Sequence, residues 1–200
     1  GMTTQDLSKI TTKKPVKSLL VVKKRINGRN NQGRITVRHR GGGAKKFYRL
    51  VNFKQLDFEK AVIEAIEYDP NRSARIARLI DENNKYHYVI ASSNMKVGQK
   101  ITVGEKAAIE EGNRLPLKSI PLGSFIYALE LQPGRGAQMV RSAGTKAQLT
   151  AKEGEYALVK LPSGEIRRIN VNCMATLGST SNVQHQNVKI GSAGRKRHLG

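Results

Sequence analysis

Residues 28–49 place Arg29, Arg34, Arg38, Arg40, Lys45, Lys46 and Arg49 in one stretch without a single acid. The chemistry available to such a run is the binding of anions. In an extended backbone Arg34, Arg38 and Arg40 share strand parity and would project from one face. Gly42 lies at the centre of a glycine triplet, where the lack of side chains lets main chain approach a phosphate closely. Asn30, with Asn31 and Gln32, can bond sugars and base edges, and His39 adds another donor. The plain alternative is a solvated basic strand followed by a flexible glycine linker. A nucleotide-triphosphate loop is excluded, because no Gly-Lys-Ser/Thr follows and no helix pattern begins there.

Two further constellations carry the same chemistry. In residues 67–77 a turn after Asp69 and Pro70 presents Asn71, Arg72 and Ser73, a guanidinium fork beside a hydroxyl suited to bidentate phosphate contact. Arg72 paired with Asp69 in an ordinary capped turn is the competing reading. In residues 133–149 two glycine-rich loops carry Arg135, Arg141, Ser142 and Lys146, against the alternative of plain hairpin turns with solvated bases. Gly134 and Gly136 begin a dinucleotide fingerprint, but Met139 occupies its third glycine position and no helix pattern follows, so that motif is rejected. Near the end stand Arg195, Lys196 and Arg197.

Catalytic sets do not assemble. His39, His87, His185 and His198 lack ligand spacing, and the single Cys173 reads as a small core residue, so no metal or other cofactor is expected. Glu64, Glu67 and Asp69 are close enough in sequence to keep an RNA-cleaving enzyme as an alternative, provided that they converge. No apolar run approaches the length of a membrane span, and nothing points to a small-molecule substrate. One cysteine suits a reducing compartment.

The elements that must position these residues read as short strands. Residues 34–39, 47–53, 61–68, 75–80 and 86–91 are β-branched or alternating runs separated by turn signals. A second group follows at 124–131, 137–141, 146–151, 156–161 and 165–171. Short helices are expected near 105–111 and 173–178. The fold class is therefore mainly β: two tandem small barrels with basic extensions. The expected divisions are a flexible basic arm (1–33), a first barrel (34–111), a linker (112–121), a second barrel (122–185) and a basic tail (186–200). Charge follows the same division. Residues 1–56 hold fifteen bases and one acid, residues 57–185 seventeen and fourteen, and residues 186–200 four and none. A nearly neutral body with cationic ends gains free energy by displacing counterions from a polyanion. With no Trp and few other aromatics, phosphate and shape contacts should dominate over base stacking.

The strings 28–49, 67–77, 112–124, 133–145 and 163–178, in this order and spacing, strongly resemble the bacterial-type large-subunit ribosomal protein L-two family. The resemblance covers roughly residues 28–200. It implies an oligonucleotide-binding-type barrel followed by an SH3-like barrel, and a primary binder of large-subunit ribosomal RNA. Support for subunit association, contact with the small subunit and neighbouring ribosomal proteins, and a place near the peptidyl-transferase region are also implied. The expected location is the cytoplasmic ribosome, or an organellar one. Arg72 and Arg141 correspond to the family's two principal RNA-binding arginines. Two departures stand out: the family continues for several tens of residues beyond the position of Gly200, so a C-terminally truncated form is expected, and Ala44 replaces a commonly polar or basic residue. A generic polyanion binder is the alternative function.

If ~8–10 phosphates are neutralised, RNA affinity should fall by several orders of magnitude between low and physiological salt. A filter-binding titration with almost no salt slope would contradict the electrostatic reading.

Overall fold

The computed structural model describes residues 1–199. Leu20–Val21 (β1) and Tyr48–Arg49 (β2) form a two-stranded antiparallel ribbon. Lys60–Glu67 (β3), Ile76–Asp81 (β4), Tyr86–Ile90 (β5) and Lys100–Thr102 (β6) form a four-stranded antiparallel sheet in the order β5-β4-β3-β6. Ala61, Ile63 and Ala65 are buried at alternate positions along β3, and the pairing register with β4 slips between Ile63 and Ala65. Beyond the slip Ile66 and Glu67 are both buried, because the N-terminal segment covers the outer face. Thr11 N–H donates to Ile66 O at 3.0 Å and Thr11 Oγ1 accepts from Ile66 N–H at 2.9 Å. Phe58, Ile63, Leu79, Val89, Met95 and Ile101 pack into the first core.

The second sheet has six strands: Arg114–Pro116 (β7), Phe125–Tyr127 (β8), Ala147–Glu153 (β9), Tyr156–Lys160 (β10), Ile166–Asn170 (β11) and Met174–Leu177 (β12), ordered β11-β10-β9-β8-β12-β7. Ala157 and Val159 face inward while Tyr156 and Lys160 face solvent, the alternation of a half-buried strand. The second core, with Leu115, Ile126, Leu129, Leu149 and Val159, also takes in Ile90 of the first sheet and Ala74 from the turn before β4. Tyr127 Oη donates to Ile90 O at 3.2 Å, and Arg75 N–H donates to Ser181 Oγ at 2.9 Å. The protein is mainly β, consistent with an oligonucleotide-binding-type domain followed by an SH3-like one. Neither sheet closes on itself.

Several local expectations are corrected. Residues 34–39 form no strand; Ile35 makes one isolated bridge with Arg29, and positive φ at His39 (60°) turns the chain. Residues 137–141 likewise make a single bridge, Leu129 to Met139, because Val140 adopts φ 55°. The expected helix at 173–178 is β12, inserted between β7 and β8. Residues 105–111 form turns, with the Glu111 carboxylate bonded to Asn94. The stretch 112–121 contains β7, and Arg114 is fully buried there. The N-terminal arm lies along the first sheet: Val16 N–H donates to Tyr88 Oη at 2.8 Å and Arg75 donates to Asp6 O at 2.8 Å. The tail ends in a short helix, Ala193–Leu199 (α1).

Cys173 is fully buried, and that burial pushes its thiol up to about 11, with the charge of Glu130 adding to the effect. Only roughly one thiol in a thousand would then be ionised near pH 8. Ellman's reagent should therefore label the native chain far more slowly than the urea-unfolded chain; equal rates would contradict this burial.

Candidate nucleic-acid interface

The basic loop is built on a turn. An added Cβ at Gly28 would collide with Val37 O, and the Gly28 carbonyl accepts N–H bonds from Thr36 (2.8 Å) and Val37 (3.0 Å). Asn30 holds the tip: its Oδ1 accepts from Gln32 N–H and Arg34 N–H, each at 3.0 Å. That oxygen serves the loop rather than a base edge. Arg29, Arg34, Arg38, His39 and Arg40 are exposed, displayed by this compact turn instead of by one strand face.

The second half of the loop meets the far end of the chain. Ala44 N–H donates to His198 O at 2.8 Å, and Gly42 lies under Arg197, whose Nε would be 3.4 Å from an added Cβ. Lys46 Nζ reaches Pro70 O and Leu199 O, both at 3.4 Å, and Arg25 donates to Gly43 O and Ala44 O. Asn71 Nδ2 donates to Phe47 O at 2.6 Å. A cleft of about 540 Å³ results, with Lys23, Lys24, Arg25, Arg40 and Lys46 in its wall and no acid among its lining residues. Cations gathered without counter-charge focus a positive field on the cleft. Lys45 lies exposed at its edge, while the half-buried Arg49 donates to Phe47 O at 2.9 Å. Arg195 is turned to Thr3 O at 2.7 Å, and Lys196 is exposed.

One residue further along, the turn changes side. Asp69 is fully buried; its Oδ2 accepts from Arg72 Nε at 2.5 Å and its Oδ1 from Asn71 N–H at 2.9 Å. The capped turn and the presented guanidinium are therefore the same structure, since pairing through Nε leaves the terminal nitrogens for another acceptor. Ser73 faces inward: its Oγ accepts Ala143 N–H at 3.0 Å and its carbonyl accepts from Asn182 Nδ2 at 2.7 Å. These bonds bring the second sheet's loop against the first sheet's turn. Arg72 Cζ then lies 5.7 Å from the Phe53 ring centroid, and Arg141 Cζ lies 4.9 Å from the same centroid. Arg141 follows Val140, a buried β-branched residue in the left-handed region, a conformation that costs energy and that tertiary contacts must hold. Val140 O accepts Ala128 N–H at 2.9 Å.

The loop bearing Arg135 hangs from one carboxylate. Glu130 is fully buried, with Oε1 accepting from Gly136 N–H (2.9 Å) and Arg114 (3.3 Å), and Oε2 from Met174 N–H (3.0 Å) and Gly134 N–H (3.3 Å). Burial pushes the Arg114 guanidinium down from its usual value, and the Glu130 charge opposes that shift. Arg135 itself is exposed, as is Ser142; Lys146 Nζ sits 4.0 Å from the Phe125 ring centroid. The acids weighed for cleavage chemistry are each in an ion pair: Glu64 and Glu67 with Arg78, Asp69 with Arg72. The sequence did not single out Phe53 or Glu130, and Lys23, Lys24 and Arg25 fell within the expected flexible basic arm. Only the empty acid column around residues 23–46 hinted at the cleft.

Two packed antiparallel β units with uncompensated cations gathered on their loops have the make-up of a nucleic-acid-binding protein. Residues 16–103 match the family described as Ribosomal Proteins L2, RNA binding N-terminal domain, and residues 110–200 match Ribosomal Proteins L2, C-terminal domain. The chain belongs to the ribosomal protein L2 family, a structural, RNA-binding family of the large ribosomal subunit and not an enzyme family. Its partners are accordingly large-subunit ribosomal RNA and ribosomal neighbours, and its location is the ribosome.

Removing one partner of a buried ion pair strands the other charge. Glu130→Gln should lower the unfolding free energy by about 3 kcal/mol. It should also speed amide exchange at Gly134 and Gly136. Wild-type urea midpoint and protection factors would show that this carboxylate does not hold the loop.

Proposed function

We propose that the chain grips large-subunit ribosomal RNA at two adjoining places: the cationic cleft under the loop of residues 28–46, and the junction carrying Arg72 and Arg141. The observation that carries this reading is the convergence of these two arginines, from different sheets, on one Phe53 ring. Arg29, Arg34, Arg38, His39, Arg40, Lys45, Lys46, Arg135, Lys146 and Arg197 surround these places and contact phosphates. Asn30, Asn71 and Ser73 act through the turns they hold. By ordering RNA, the protein supports subunit association and the peptidyl-transferase region and contributes to contact with the small subunit, in the cytoplasmic ribosome. The support for this part is the family membership together with the charge distribution. Gly42 and the tail close the cleft from the side of α1.

A generic polyanion binder would have dispersed charge and no preference among polymers. Here Arg72 is held by the buried Asp69, and the cleft cations Arg25 and Lys46 by backbone carbonyls, which favours one folded RNA surface.

Arg72→Ala and Arg141→Ala should each weaken binding of a large-subunit ribosomal RNA transcript by ~1–3 kcal/mol, the value of one charge-assisted hydrogen bond to phosphate. Heparin of matched charge should compete poorly. Unchanged binding by both variants, or equal competition by heparin, would sink the proposal.

A further inference from the structure

Phe53 faces two charges from different parts of the fold. Both guanidinium carbons, at 5.7 and 4.9 Å from its centroid, lie within the range over which a cation is attracted to the face of an aromatic ring. Arg72 comes from the turn between β3 and β4, and Arg141 from the loop before β9. Arg72 is anchored to the buried Asp69 whereas Arg141 is exposed, and the Phe53 ring is the aromatic neighbour the two guanidinium groups share.

The ring is itself clamped. Phe53 O accepts Ala137 N–H at 2.9 Å, and its half-buried side chain packs against the second core. Gly136, at φ 84°, passes close enough that an added Cβ would lie 3.2 Å from the Phe53 carbonyl carbon, and its left-handed backbone favours glycine. Arg141 donates to Ala137 O at 3.3 Å, on the same residue whose N–H binds Phe53. Asp69 fixes Arg72 from its Nε edge. Every member of the set is thus held from a second direction.

We propose that Phe53 is a positioning residue for RNA recognition: its ring sets the spacing and orientation of Arg72 and Arg141, so that both meet one stretch of RNA backbone as a pair. This rests on the RNA role proposed above for the two arginines. Phe53 acts through them and does not contact RNA itself.

The test measures affinity of the full chain for a large-subunit ribosomal RNA transcript, with melting temperature recorded alongside. The variants are F53L, F53M, F53Y, R72A/R141A and F53L/R72A/R141A. Leu and Met keep apolar bulk without a π face, whereas Tyr keeps the face. F53L and F53M should each weaken binding ~10-fold, because both guanidinium groups then have no ring face to rest on. F53Y should bind as wild type, and F53L should add nothing to R72A/R141A. A merely structural role would instead weaken the arginine-free variant by the same factor, which would overturn the inference. Wild-type affinity in F53L and F53M, alongside a weak R72A/R141A, would overturn it as well. Wild-type affinity in R72A/R141A would overturn the arginine assignment itself, and this inference with it.

Discussion

Thirty-six cationic side chains share this chain with fifteen acids, so where the acids go decides what the cations can do. Several lie inside. Asp69, Glu67, Asp81 and Glu130 are buried, bonded respectively to Arg72, Tyr88, His87 and Arg114. A carboxylate taken out of water is tolerated only with such partners. Each therefore holds a specific piece of backbone or guanidinium and neutralises little of the surface. The walls of the cleft at Lys23, Arg25, Arg40 and Lys46 are left without counter-charge. In the RNA-binding role proposed above, phosphate supplies that charge, with counterion release as the driving force.

The same constraint explains why the two sheets behave as one platform. Loops crowded with like charge repel one another, and neutral contacts must hold them together. Ser73 to Ala143, Arg75 to Ser181 and Tyr127 to Ile90 are backbone or hydroxyl bonds across the junction, and Ile90 and Ala74 extend the second core into the first sheet and the turn before β4. The left-handed Val140 is held by this packing and directs Arg141 to Phe53. These junction contacts hold Arg72 and Arg141 beside one ring, the spacing on which the proposed site rests.

Much of the strand inventory was legible in the sequence. β3, β4, β5, β9, β10 and β11 lie within a residue or two of their expected positions, because runs rich in β-branched residues between turn signals mark them; β10 also alternates in burial, whereas β5 is buried at four consecutive positions. β12 was not legible: Met174, Ala175 and Leu177 suit a helix as well as a strand, and only pairing with β7 and β8 selects the strand. β7 was hidden by Arg114 and Pro116, residues that suggest a boundary until Glu130 is seen beside the guanidinium. Residues 34–39 alternate like a strand but turn back on Gly28, whose carbonyl accepts two N–H groups. The arm lacks any period because single bonds at Thr11, Val16 and Asp6 tie it down.

The sequence by itself carried the mainly β class, the tandem arrangement, the identity of the basic side chains and, through its resemblance to known strings, the family. These depend on residue type and local spacing, which a linear chain carries in full. Tertiary structure decided which cations share a cleft, that Ser73 and Asn30 serve loops, and that Arg72 and Arg141 meet over Phe53. Such convergence joins residues far apart in the chain, through contacts at the sheet junction whose distances no local pattern encodes.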